Sequence, residues 1–128
     1  RSQMGVLRGL HFQISRPQGK LVSCTRGRVF DVVVDINPAS KTYGSYISVD
    51  LSEENHMQLW IPPGYAHGFC VLSEIADFQY KCTEYYDPAD EGGLRWDDPQ
   101  VAIEWPINCP ELSLRDANWP TLAEMEER

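Results

Sequence analysis

Histidine is scarce in this sequence, its cysteines fall in no ligand spacing, and no run is apolar for long. The 128 residues hold only His11, His56 and His67, with no HxH pair among them. Metal sites on barrel strands usually include one closely spaced ligand pair, so no metal is expected here. Cys24, Cys70, Cys82 and Cys109 form no CxxC and have no histidine placed to complete a zinc site. They are expected to be buried free thiols in a reducing compartment. There is no GxSxG and no cysteine beside a base, which removes simple nucleophilic hydrolysis. No stretch approaches the length of a membrane span. The chain opens on Arg1 rather than Met and carries no signal-peptide pattern, so a cytoplasmic chain shortened at its N-terminus is expected.

Acidic residues are missing from one region only. The net charge is −8, which excludes a general nucleic-acid binder. Yet residues 1–30 contain Arg1, Arg8, Arg16, Lys20, Arg26 and Arg28 and no acid, while all 19 acids lie after them. A basic region on an acidic protein suits a small anion, or is simply solvated.

What is present is a series of short apolar segments between turn residues. "KLVSC", "VFDVVVDI", "SYISVDLS", "MQLWI", "HGFCVLS" and "DFQYKCTEYY" are separated by "TRGR", "NPASKTYG" and "PPGY". Val, Ile, Phe and Tyr fill the segments, and Pro, Gly, Asn and Asp fill the gaps. The spacing predicts an all-β antiparallel jelly roll, one domain over 1–128, with "TLAEMEER" as a short helical tail.

Strand parity places Phe78, Tyr80, Cys82, Glu84 and Tyr86 on one face and Gln79, Lys81, Thr83 and Tyr85 on the other. In "GVLRGLHFQ" Arg8 and His11 have opposite parity. A bulge at Gly9 brings both to one face, and bulges gather beside active sites. His67, at the start of the strand after "IPPGYA", reads more readily as a turn cap than as a functional group. Asp116 reads as a cap for the tail, and "LSLRDANWP" as a polar loop with a surface tryptophan. Histidine, tyrosine, lysine and carboxylates without a cofactor motif suit proton abstraction and return.

Seven motifs then occur in order: "GVLRGLHFQ", "QGKLV", "GRVFDVVVDI", "IPPGYAHGF", "YKCTEYYDPADEGGLRWDDP", "IEWP" and "LSLRDANWPTL". From about Gly5 to Leu122 the chain resembles the dTDP-4-dehydrorhamnose 3,5-epimerase family, cupin-type jelly rolls of deoxysugar nucleotide biosynthesis. The resemblance implies a base at His11, an aspartate partner at Asp116 and a proton donor at Tyr80. It implies substrate contacts at Arg8, Lys20, His67, Glu91 and Arg115, and Tyr86 stacked on the thymine ring. It further implies a dTDP-4-keto-6-deoxyhexose substrate, no cofactor or metal, no nucleic-acid or membrane partner, and a homodimer in the full-length form.

Three features depart from the family pattern. The N-terminal segment before "GVLRGLH" is absent from this sequence, Arg115 stands where lysine is common, and the "QISRPQGK" loop is slightly short. The alternatives are a single-centre epimerase, a sugar-nucleotide-binding cupin without turnover, and a metal-dependent cupin oxygenase or isomerase.

Overall fold

The computed structural model describes residues 1–126. In chain order the strands are β1 (Ser2–Gln3), β2 (Leu7–Gln13), β3 (Lys20–Arg26), β4 (Arg28–Asp35), β5 (Tyr46–Ser52), β6 (Gln58–Ile61), β7 (Tyr65–Val71), β8 (Ile75–Cys82) and β9 (Glu91–Gly93). A single-turn 3-10 helix at Asp116–Asn118 and the helix α1 (Leu122–Glu126) follow. The strands form a four-stranded sheet in the order β1-β8-β3-β6 and a five-stranded sheet in the order β5-β4-β7-β2-β9, and these strands pair antiparallel throughout. This is the expected all-β jelly roll.

The near-continuous apolar run of β4 has a direct cause: both of its faces are covered. Val29 and Val33 point between the sheets, joining Val22, Leu51, Ile61 and Val71 in one core. Val32 and Val34 point outward, where Leu10, Ala66, Leu94, Val101 and Leu122 form a second core. Each fully buried valine contributes about 1.5–3 kcal/mol. The chain after β9 is therefore a cover, buttoned down by Asp98, whose carboxylate accepts the Gln100, Val101 and Leu122 N–H groups at 2.7, 3.0 and 2.7 Å. Thr121 and Glu124 form a reciprocal capping box at the start of α1. That helix occupies the expected tail as far as Glu126; the last two residues of "TLAEMEER" lie outside the described residues.

Several expectations need correction. Strand β8 stops at Cys82, so Tyr86 is not on it. Side-chain amides take over the backbone beyond that point: Gln18 donates to the Glu84 carbonyl at 2.7 Å and Gln13 to the Tyr85 carbonyl at 3.3 Å. Strand β7 begins at Tyr65, so His67 is its third residue. Cys24 and Cys70 are buried, but Cys82 and Cys109 are exposed; all four are free thiols. Asp116 does not cap α1, a task that falls to Thr121 and Asp98. No helix among the described residues is long and apolar enough to cross a membrane.

Candidate active site

Beside the apolar core between the sheets lies a cavity of about 540 Å³ lined by both polar and apolar side chains, with Phe69 and Phe78 shared between the two. Ligand sites typically span about 300–1,000 Å³. All nine residues singled out in the sequence line this one cavity: Arg8, His11, Lys20, His67, Tyr80, Tyr86, Glu91, Arg115 and Asp116.

The five-stranded sheet supplies His11 through the anticipated bulge. Arg8 lies opposite Phe69 and His11 opposite His67, so Gly9 and Leu10 together face Gly68 alone. Gly9 has φ +126°, and a Cβ there would lie 2.7 Å from the Gly68 Cα, so only glycine fits. The extra residue sends Leu10 into the outer core while Arg8 and His11 both reach the cavity.

His11 Nε2 lies 2.7 Å from Asp116 Oδ1. The same oxygen accepts the Trp119 indole N–H at 2.9 Å, and Asp116 Oδ2 accepts the Gly9 N–H at 3.3 Å. Burial pushes the Asp116 carboxyl up, but the hydrogen bond and charge of His11 and the Trp119 and Gly9 N–H groups outweigh it, holding it below the ordinary carboxylate value. With the carboxylate ionised, Nε2 must carry the hydrogen, which leaves Nδ1 as the proton-accepting nitrogen.

The opposite sheet presents Lys20, Tyr80 and Cys82 on its inner face. Lys20 pairs in register with Cys82, and Val22 with Tyr80. The parity reading holds within the strand: Phe78, Tyr80 and Cys82 face the cavity, while Gln79 and Lys81 line a separate small depression outside. Burial lowers the Lys20 pKa, partly offset by the charges of Cys82, Glu91 and Asp31. Tyr80 and Tyr86 are 60% and 59% exposed, so both stand at the open mouth.

Glu91 is the hub of a third group. Its Oε1 lies 3.2 Å from the Arg115 guanidinium and 3.8 Å from His11 Nε2. A hydrogen bond to Glu91 raises the Tyr86 pKa, helped by burial and opposed by Arg115. Of the six early bases only Arg1, Arg8 and Lys20 line the cavity. Arg16 pairs with Asp87 and Arg28 with Asp50 on the surface, so the basic region is split.

Sequence reasoning missed two residues. Asp31 is fully buried and accepts or shares a 2.8 Å hydrogen bond with His67 Nε2, so His67 is no turn cap. Its signal was an acid at inward parity within a valine run. Trp119, read as a surface aromatic, is half-buried against the dyad; nothing local to its sequence marks that contact. Among the described residues no three His, Cys, Asp or Glu side chains are gathered as a metal site.

A sequence model described as dTDP-4-dehydrorhamnose 3,5-epimerase matches residues 1–124. An Escherichia coli protein of that name is 57% identical over 127 residues, covering 98% of this chain and 69% of its own. A dTDP-4-dehydrorhamnose 3-epimerase from Streptomyces niveus is 42% identical, covering 98% of this chain and 61% of its own. A crystal structure of a dTDP-6-deoxy-D-glucose-3,5-epimerase from Legionella pneumophila in complex with dTDP-4-keto-L-rhamnose superimposes with a TM-score of 0.93 at 54% identity, over 95% of this chain and 65% of that one. This sequence thus spans about two thirds of the length of these relatives. It belongs to the dTDP-4-dehydrorhamnose 3,5-epimerase family.

Proposed function

We propose that the protein is a cofactor-independent epimerase that inverts C3 and C5 of dTDP-4-dehydro-6-deoxy-D-glucose, giving dTDP-4-dehydro-L-rhamnose. One observation carries the reading: an aspartate-bonded imidazole and a phenol border the same cavity from opposite sheets. The 4-keto group acidifies the hydrogens on C3 and C5, because the carbanion delocalises onto oxygen. His11 Nδ1 takes the proton from one face, and Asp116 stabilises the imidazolium that forms. The Lys20 ammonium holds the enolate oxygen, an electrostatic contribution that grows as water is excluded. Tyr80 returns a proton to the opposite face, so the carbon is inverted. Its phenolate and the imidazolium then reset through solvent, balancing the protons.

The remaining contacts follow from charge and shape. Arg8 and Arg115 suit the diphosphate. Glu91 holds Arg115 and Tyr86, the latter stacking on the thymine, while His67 lines the sugar subsite with Asp31 behind it. A second reading, inversion at one carbon only, is favoured by the likeness to the Streptomyces niveus 3-epimerase. Incubation with substrate in D2O separates the cases. Deuterium at both carbons is expected, and His11→Ala reduces that exchange about 10²- to 10⁴-fold. Label at one carbon selects the single-centre reaction, and label at neither overturns both.

A further inference from the structure

We infer that Trp119 is a positioning residue for the His11–Asp116 pair, its indole N–H clamping the same carboxylate oxygen that His11 uses. The inference deepens the proposed reaction and rests on that reading for its meaning in turnover. Oδ1 of Asp116 receives two donors, His11 Nε2 at 2.7 Å and Trp119 Nε1 at 2.9 Å. An indole N–H donates and cannot accept, so it favours the ionised carboxylate whatever His11 is doing. Sharing Oδ1 also weakens its pull on the imidazole proton. The clamp thus keeps Asp116 oriented and charged while His11 gains and loses a proton.

Trp119 is itself held on several sides, which a loosely packed surface aromatic is not. Its ring meets His11 edge-on, with centroids 6.1 Å apart and planes at 75°. The Arg115 guanidinium sits 5.1 Å above it. Gly93 of β9 forms its seat, since an added Cβ there would overlap the indole. The backbone N–H of Asp116 donates to Ser113 Oγ at 3.1 Å, fixing the turn that carries both residues.

Other charges bear on the pair from every side. Glu91 of β9 lies 3.8 Å from His11 Nε2, and Arg115 precedes Asp116 in the same turn. Arg8 of β2, Lys20 of β3, Tyr80 of β8, Tyr86 and the Asp31-bonded His67 line the same cavity. Trp119→Phe keeps all of these residues and an aromatic ring at the seat formed by Gly93; it removes the N–H together with part of the ring.

The test is a titration of the substrate-free protein carrying 13C at aspartate Cγ, alongside the pH profile of kcat/KM. In Trp119→Phe the Asp116 carboxyl should titrate at higher pH than in the parent. The acidic limb of kcat/KM should move up by about half to one pH unit, a loss of about three- to tenfold on that limb, with KM unchanged. A purely structural role lowers kcat without moving the limb, and titrations that superimpose on the parent's overturn the inference. Should Trp119→Phe fail to fold, the 15N-labelled indole N–H of Trp119 in the unsubstituted protein decides. Its resonance must follow the Asp116 titration; a flat response through that range sinks the clamp. Because these titrations need no substrate, a shifted carboxyl in a protein that fails to epimerise would reject the reaction and keep the clamp.

Discussion

Lys20 shows how one side chain's chemistry is set by its place. Held between the sheets, its ammonium is destabilised by burial, and the charges of Cys82, Glu91 and Asp31 only partly restore it. The folded pKa is therefore below the ordinary lysine value of 10.5, and the charge is lost at lower pH than on a free lysine. In the proposed reaction that charge faces the enolate oxygen. The expected outcome is an alkaline fall in kcat/KM that begins below pH 10.5. In Lys20→Arg that limb should move to higher pH, since a guanidinium does not deprotonate in the accessible range. A pH–rate profile of the two proteins checks this, and an unchanged limb in Lys20→Arg assigns it to another group.

At the scale of elements, the segment after β9 matters because it carries Arg115, Asp116 and Trp119 and also seals the outer core. Asp98 holds it. Asp98→Ala leaves three backbone N–H groups, two of them buried, without their acceptor, which should cost on the order of 3 kcal/mol. Denaturant unfolding should show a lower midpoint at the same slope. A midpoint within experimental scatter of the parent's would mean that those N–H groups find water.

The same scale shows what the residues reveal by themselves. The alternation in "DFQYKC" is readable because one face is wet and the other lines a cavity, and the valine run of β4 because both faces are covered. The bulge at Gly9 is readable as a parity conflict between Arg8 and His11. The end of β8 is not, because it depends on Gln13 and Gln18, about seventy residues earlier in the chain, capturing the Tyr85 and Glu84 carbonyls. Trp119 is hidden for a similar reason. Its partner Asp116 is three residues away, but its seat, Gly93, comes from another strand. Asp31 lies between these cases, an acid whose inward parity is visible but whose partner His67 is brought to it only by the β4–β7 pairing.

For the whole molecule, the consequential feature is that two sheets close over one cavity. His11 reaches it from the five-stranded sheet, and Tyr80 and Lys20 from the four-stranded one. In the proposed mechanism, inversion requires this division: a base and an acid on the same sheet would return the proton to the face it left. Motif order alone points to the residues, but only the fold puts them on facing walls.

The measurement that tests this most directly compares deuterium exchange with inversion in Tyr80→Phe. With the phenol gone, His11 still abstracts and, after its proton has exchanged with solvent, returns deuterium to the same face. Exchange should stay close to the parent rate while inversion falls about 10²- to 10⁴-fold. Inversion at the parent rate, or exchange and inversion falling together, would contradict the proposed mechanism.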